Sequence, residues 1–169
     1  MSLEITHLGS GSRGNATLLQ TDESKVLVDC GFSGRQVERR LGLLGIDPSA
    51  IDAILLSHHH SDHVKGAKIF SKRHGATLFS NFTTCDRLGL DPVNECRVFE
   101  SLERVELTPD ISVLPVPVPH DDADNVGFII SNGGLGRAAV VTDLGEPTDE
   151  LIRHLKGCSV GVIDLCAIG

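Results

Sequence analysis

The sequence predicts a layered fold of the α/β or α+β class, in which helices pack on sheets of short strands. Apolar residues recur at helical spacing in some segments and form short continuous runs, typical of buried strands, in others. The strand segments are joined both by helix-length connections and by short turns, which favours a mixture of parallel and antiparallel pairs. The chain has 169 residues and no visible repeat or linker, so a single domain is expected over 1–169.

The first half of the chain predicts alternating strands and helices. Strands are predicted at 3–8, 16–20, 25–29, 54–56 and 76–80, with a Gly/Ser-rich loop at 9–15. A helix is predicted over 35–44, because Val37, Leu41 and Leu44 recur at helical spacing and Gly45 suits a helix end. A second helix is predicted over 63–74, where Gly75 would stop it.

The second half is richer in strands. They are predicted at 96–100, 104–107, 111–118, 126–131 and 137–142, followed by a helix at 149–156 and a last strand at 160–165. Pro115, Pro117 and Pro119 alternate with valine in this half. Because proline cannot donate a backbone hydrogen bond, these prolines are expected at a sheet edge or at the end of a strand.

Composition and charge exclude several classes of protein. Lys and Arg number 15 against 23 Asp and Glu, and the net charge of −8 does not suit a general polyanion binder, although a bound cation can reverse the local potential. No apolar run approaches the length of a membrane span, and the N-terminus lacks the pattern of a secretory signal. The five cysteines include no C-x-x-C pair, which predicts reduced thiols and a cytoplasmic location.

A histidine cluster, His58-His59-His60-Ser61-Asp62-His63, directly follows an apolar strand. In an extended segment, residues two apart project to the same side, so His58 and His60 can hold one ion together. Asp62 and His63 fall where the chain turns into a helix, and they can face a second ion. Imidazole with one carboxylate suits zinc, and also manganese, iron or nickel. The alternative, an exposed histidine-rich turn, is disfavoured because four protonated imidazoles would repel one another.

Three further polar residues stand at the ends of apolar strands. These are Asp29, His120 and Asp143. They could converge with the histidine cluster on one rim of a sandwich. Each also has an ordinary explanation, since aspartate is common in turns and a histidine after proline is common at the surface. The residues alone leave their role open.

The H-x-H-x-D-H motif, with a later histidine and a later aspartate at strand ends, resembles the metallo-β-lactamase superfamily. Within that superfamily, the segments 8–15, 28–31, 51–63 and 142–145 resemble the YycJ/WalJ (VicX) branch. The resemblance extends to about Leu155. It implies an αββα sandwich with a two-metal site in a cleft at one edge.

The resemblance also implies roles for individual residues. The first ion would be held by His58, His60 and His120, and the second by Asp62 and His63, with Asp143 bridging both. Asp29 would orient a liganding histidine. Asp62 would be the catalytic residue, holding a hydroxide between two divalent ions, with zinc favoured. In the 9–15 loop, candidates for phosphate contacts are Ser12, Arg13 and Asn15, although a tight turn is the alternative explanation.

The chain departs from the branch at its C-terminal end. Members of the branch are longer and carry another ligand histidine beyond the final strand, whereas this chain ends at Gly169. His154 lies too early to replace that histidine, and Asp164 or Cys166 is the alternative source of a ligand. We therefore expect an incomplete second half of the sandwich, with exposed apolar sheet surface that favours self-association.

The motif predicts a metal-dependent hydrolase, and the branch implies a phosphodiesterase or exonuclease-like enzyme with DNA or another phosphodiester as its substrate. Lys65, Lys68 and Lys72 share one helix face beside the motif; they could follow a nucleic-acid backbone or form an ordinary solvated face. Two alternatives remain open. One is a hydrolase of a thioester or a phosphorylated metabolite, which the acidic charge favours. The other is an inactive one-metal or metal-free remnant that serves as an interaction module.

Overall fold

The predicted sandwich is present. A computed structural model describes residues 2–121, 124–134 and 136–165 and shows two β-sheets packed face to face. The first sheet contains β1 (Glu4–Gly9), β2 (Ala16–Gln20), β3 (Lys25–Val28), β4 (Ala53–Leu55), β5 (Thr77–Ser80) and β6 (Arg97–Val98). The second contains β7 (Val105–Glu106), β8 (Ser112–Pro117), β9 (Val126–Ser131), β10 (Arg137–Leu144) and β11 (Val160–Leu165). The helices are α1 (Gly34–Leu43), α2 (Ser61–Val64), α3 (Ala67–His74), α4 (Phe82–Arg87) and α5 (Asp149–Leu155), with a 3-10 turn at Pro48–Ala50.

Alternation along the strands divides the core into layers. Neighbouring residues such as Leu18 and Leu19 on β2 point to opposite faces of the first sheet, and both are buried. One face packs under α1 and α3, where Leu41 and Phe70 are fully buried. The other face meets the second sheet, with Phe128 among the residues between them. The outer face of the second sheet packs against Leu151 of α5. The order of layers is therefore helix, sheet, sheet, helix.

Sheet topology brings the ends of several strands to one edge. The first sheet has the order β1-β2-β3-β4-β5-β6, and β3 to β6 run parallel. The carboxyl ends of β3, β4 and β5 therefore share one edge, the usual position of ligand sites in parallel sheets. The second sheet has the order β11-β10-β9-β8-β7 and is antiparallel except for the β10–β11 pair.

Two features of the helices differ from the sequence-based prediction. The predicted helix over 63–74 is two helices, α2 and α3, separated at Gly66. The chain passes so close to the loop after β3 that a Cβ on Gly66 would lie 2.2 Å from the carbonyl oxygen of Phe32. Helix α4 was not predicted because its six residues carry no apolar stripe, although Asn81 caps it by accepting a hydrogen bond from the Thr84 amide at 2.9 Å.

The proline-rich strand lies largely where we expected it. Strand β7 pairs with β8 only at Ser112 and Val113, whereas β9 pairs along the whole of β8. Pro115 and Pro117 therefore lie in the part of β8 that β7 does not reach, where a missing backbone donor is tolerated.

The last strand is the most exposed part of the described sheets. On β11, Val160, Ile163 and Leu165 are 50%, 47% and 69% exposed. The predicted apolar surface is therefore present there, and self-association through it stays a prediction. Cys166 lies outside the described residues, and the four described cysteines are free thiols. Within the described ranges, no helix is both long enough and apolar enough to cross a bilayer.

Candidate metal centre

The histidine cluster occupies the connection between β4 and α2. His58 and His63 are fully buried, whereas His60 is half-buried and begins α2 as its N-cap residue. The rings of His58 and His60 lie 4.6 Å apart between centroids. The alternation expected of an extended segment therefore does bring these two imidazoles together.

The second sheet brings two more side chains to the same point. His120 follows β8 and Asp143 lies near the end of β10, and their side chains are 8% and 24% exposed. Ligand atoms of four residues lie within 4.8 Å of one another, and the four are His58, His60, His120 and Asp143. These side chains therefore converge on one rim of the sandwich, as expected, and both sheets contribute to it.

The hydrogen-bonding of these four residues fits a cation. The buried Nε2 atom of His58 makes no hydrogen bond within the described residues, although Asp143 Oδ2 lies 3.3 Å away. Nδ1 of His60 and Nε2 of His120 face each other at 3.3 Å. Buried polar atoms are normally paired, and imidazole nitrogens beside a carboxylate are a ligand set that suits zinc. The donor set therefore fits a divalent ion.

Asp62 and His63 reach the same cluster through Asp143. His63 Nε2 lies 2.8 Å from Asp143 Oδ2 and 3.7 Å from Asp62 Oδ2. Asp143 therefore stands between the histidines expected at the first ion and the pair expected at the second. A second ion remains a prediction, as do the individual ligand roles.

Asp29 lies behind the cluster and is almost completely buried. Its carboxylate accepts hydrogen bonds from the Ser57 amide at 2.8 Å and from the Ser57 hydroxyl at 2.8 Å, and Nδ1 of His63 lies 2.7 Å away. This contact leaves Nε2 of His63 directed towards Asp143. The orienting role that the resemblance implies for Asp29 stays a prediction.

The charges of the cluster act strongly on one another in the metal-free protein. Burial lowers the pKa of His63, but Asp29 and Asp143 outweigh it and raise that pKa to about 10. Contacts with His58 and His63 hold the pKa of Asp143 far below its usual value, against the opposing effect of burial. The pKa of His60 is lowered by burial and by the neighbouring His58 and His120. Burial and Asp29 raise the pKa of the Cys30 thiol to about 12, which favours the neutral thiol in the metal-free protein.

Two of the aspartates have an unusual backbone. Asp29 and Asp143 have φ angles of 62° and 53°, in the left-handed region that non-glycine residues rarely adopt. Such conformations persist where surrounding structure holds them, and they concentrate at functional sites. Both aspartates stand where a strand gives way to a loop or an irregular pairing, so this backbone turns their carboxylates towards the histidines.

The Gly/Ser-rich loop divides into a buried and an exposed part. Ser12 and Arg13 are exposed, and contacts with phosphate remain a prediction for both. Asn15 is buried, and a phosphate contact stays a prediction for it too. Its amide donates hydrogen bonds to the Asp62 carbonyl at 3.2 Å and to Asp62 Oδ2 at 3.3 Å, and it lies 3.2 Å from His63 Nε2. The side-chain amide of Asn15 therefore holds α2 in place rather than facing solvent.

Other residues singled out in the sequence lie apart from the cluster. Lys68 and Lys72 face Glu95 at 3.8 Å and 3.1 Å, so an acidic side chain offsets two of the three lysines on that helix face. Asp164 lies on β11 beside β10, but it is not among the four residues whose ligand atoms converge.

Sequence reasoning missed Ser57. This serine is 1% exposed and lies between the last residues of the β4 segment and His58. Its hydroxyl contacts Asp29 and also lies 2.9 Å from Nδ1 of His58. A serine between an apolar run and the first histidine is the only signal that the sequence offered, and serine is too common at strand ends to single out.

Comparison with known proteins agrees with this geometry. Residues 9–155 match the family described as the Metallo-beta-lactamase superfamily. The chain is 30% identical over 168 residues to an exodeoxyribonuclease YycJ from Bacillus anthracis, covering 97% of this chain and 63% of that protein. It is 33% identical over 120 residues to an exodeoxyribonuclease WalJ from Streptococcus pneumoniae, covering 68% of this chain and 44% of that protein. The chain thus spans less than two thirds of the length of either relative.

Solved structures show the same fold at lower identity. Zn(2+)-bound PqqB from Methylobacterium extorquens superposes with a TM-score of 0.78 at 18% identity, covering 95% of this chain and 72% of that one. MEM-A1, a subclass B3 metallo-beta-lactamase from a soil metagenome, superposes with a TM-score of 0.69 at 19% identity, covering 94% and 75%. These similarities support the αββα assignment of the fold.

Proposed function

Because the chain belongs to the metallo-beta-lactamase superfamily, we propose that it is a metal-dependent hydrolase that cleaves phosphodiester bonds in DNA as an exonuclease. The observation that carries this proposal is the convergence of three histidines and one aspartate from two sheets on a single point. Similarity to proteins named as exodeoxyribonucleases supports the choice of substrate.

In this proposal the cluster holds two divalent ions, with zinc favoured over manganese, iron or nickel. His58, His60 and His120 would hold the first, Asp62 and His63 the second, and Asp143 would contact both. When bound, the ions supply a nucleophile deprotonated near neutral pH and neutralise the charge that develops on the attacked phosphate.

The chain's own residues have three tasks in this reaction. Asp62, 27% exposed at its side chain, is open enough to accept a proton at its carboxylate from the attacking water. Asn15 holds Asp62 in place through its amide. Arg13 and Ser12 extend from the exposed part of the loop, where a guanidinium and a hydroxyl can bind a phosphate of the substrate backbone.

A second candidate function is hydrolysis of a small substrate such as a thioester or a phosphorylated metabolite. The net charge of −8 favours it, and so does the pairing of Lys68 and Lys72 with Glu95, which weakens the basic face beside the cluster. Long nucleic acids are usually held by unopposed basic surface, whereas a small substrate needs only the ions and a few polar contacts.

The test uses protein purified without chelators or nickel affinity resin. Metal content per chain is measured by mass spectrometry, followed by hydrolysis of end-labelled DNA, of bis(p-nitrophenyl) phosphate and of a thioester panel. Stepwise release of nucleotides that stops after metal removal supports the exonuclease. Hydrolysis of a small substrate without DNA cleavage supports the second candidate. A folded chain that binds at most one ion and hydrolyses none of these substrates would instead indicate an interaction module.

A further inference from the structure

The geometry points to Ser57 as a positioning residue whose hydroxyl oxygen faces Nδ1 of His58 and so holds this ring with its Nε2 atom directed at the candidate metal centre. This inference rests on the proposed metal site but not on the proposed substrate. It assigns a role to a residue that contacts neither a substrate nor an ion.

Every polar atom of Ser57 is engaged at the point where the two sheets meet. Its amide donates to Asp29 Oδ1 at 2.8 Å, and its carbonyl accepts from the amide of Val126, at the start of β9, at 3.2 Å. Its hydroxyl donates to Asp29 Oδ2 at 2.8 Å. The same hydroxyl oxygen lies 2.9 Å from Nδ1 of His58 and 3.5 Å from the hydroxyl of Thr142.

Counting protons fixes the direction of these bonds. The Ser57 hydroxyl donates to Asp29 Oδ2, so its single proton is committed to that bond. The hydroxyl oxygen can then only accept from its other neighbours. Nδ1 of His58 must therefore carry a proton and donate it to Ser57. In a neutral imidazole this leaves Nε2 with a lone pair.

That lone pair belongs to the atom that the metal centre needs. Nε2 of His58 is buried, without a hydrogen bond among the described residues, and is directed at the cluster. Without the Ser57 hydroxyl, Nδ1 would lose its acceptor, and a proton on Nε2 would instead find Asp143 Oδ2 at 3.3 Å. A proton held there would compete directly with an ion.

The arrangement also explains how one carboxylate serves two histidines. Asp29 contacts His63 directly, with Nδ1 2.7 Å from Oδ2. It reaches His58 only through Ser57, which relays the preference for a proton on Nδ1. One buried charge thereby orients a predicted ligand of each ion. Outer contacts of this kind typically change metal affinity by about 10- to 100-fold.

The test compares Ser57→Ala with Ser57→Thr and with Ser80→Ala. Ser80 is a matched control because it is also fully buried, is the last residue of the neighbouring parallel strand β5 and donates to the Asn81 carbonyl at 2.9 Å. Zinc affinity is measured by competition with a chromophoric chelator, and imidazole protonation by long-range 15N–1H NMR. We expect Ser57→Ala to weaken binding of one ion by about 10- to 100-fold and to move the His58 proton from Nδ1 to Nε2. Ser57→Thr should restore both properties, and Ser80→Ala should change neither.

Two results would overturn the inference. One is a Ser57→Ala protein that keeps the zinc affinity of the wild type and still carries the His58 proton on Nδ1. The other is a zinc-loaded wild-type protein whose His58 carries no proton on Nδ1, a measurement that remains decisive if Ser57→Ala does not fold. Failure of the proposed function is distinguishable, because it appears as a wild-type protein that binds metal without cleaving DNA, or that binds no metal at all.

Discussion

The two halves of the candidate metal centre are built differently. The half carried by the first sheet comes from one continuous segment, and its histidines His58 and His63 are fully buried and braced by Asp29 and Ser57. The half carried by the second sheet consists of His120 and Asp143, which come from separate strands and are more exposed. The contacts that orient His58 and His63 come from Asp29, which follows β3, and from Ser57, which follows the β4 segment. The second half is positioned only when the two sheets pack against each other.

The largest effect should follow from removing His60, a predicted ligand in the first half that faces His120 of the second half. His60→Ala takes away the imidazole that lies 3.3 Å from His120, so we expect loss of one ion and of hydrolysis to background. The measurement is metal content per chain together with DNA cleavage. His59→Ala is the matched control, because His59 belongs to the same segment but not to the convergent group, and it should keep both properties. Equal losses in the two variants would mean that the segment, rather than the ligand, had failed.

The same contrast explains how far the sequence could predict this site. The H-x-H-x-D-H segment was identifiable from local spacing, because a short loop alone brings His58 and His60 together. His120 and Asp143 were assigned only by resemblance, since no local pattern states which strands of two packed sheets end at the same rim. Periodicity predicted layered α/β or α+β packing, and the resemblance implied the αββα sandwich. The break at Gly66 depends on a contact with Phe32 that the sequence does not display.

A substitution that disturbs the packing behind the first half of the centre should mainly reduce the stability of the protein. A Cβ at Gly31 would lie 1.7 Å from the Asp62 carbonyl oxygen and 2.7 Å from the backbone nitrogen of Asn15. We expect Gly31→Ala to lower the free energy of unfolding by at least about 1–3 kcal/mol, the usual cost of overpacking, and to weaken metal binding by displacing Asp62. Urea denaturation and zinc titration measure these effects.

Gly42→Ala is the matched control for Gly31→Ala. Gly42 is exposed in the last turn of α1, with nothing within 4 Å of an added Cβ. Alanine should therefore stabilise that helix by about 0.5–1 kcal/mol. A Gly31→Ala protein as stable as wild type would show that the loop after β3 and α2 need not touch, which contradicts the close packing described above.

Metal removal should make the stability of the protein depend on pH through His63, which belongs to the first half of the centre. In the metal-free protein the folded-state pKa of His63 is about 10, above its ordinary value of 6.5. Its stabilising charge is therefore fully present below about pH 6.5 and is lost as the pH rises through about 10. We expect the Tm of metal-free protein to fall across that interval. The Tm of zinc-loaded protein should fall less, because His63, as a predicted ligand, would already be neutral.

His63→Gln provides the control for this pH dependence. Glutamine does not titrate, so the metal-free variant should lose most of the decline in Tm between about pH 6.5 and 10 seen in the wild type. The pKa of His60 is lowered rather than raised, so His60 should not produce a decline in that interval. An identical decline in the variant would assign the effect to another group.

The smallest effect is expected outside both halves, at Arg13. This side chain is exposed on the loop that the buried Asn15 anchors, so it can bind a phosphate without supporting the cluster. We expect Arg13→Ala to raise KM for DNA with little change in kcat, zinc affinity or Tm, and to reduce the salt dependence of binding by about one unit of slope. Arg153→Ala, on α5 and 67% exposed, is the control and should leave KM unchanged. If Arg13→Ala instead lowered zinc affinity, the exposed part of the loop would support the cluster as the buried Asn15 does. Arg13 would then not act on the substrate alone.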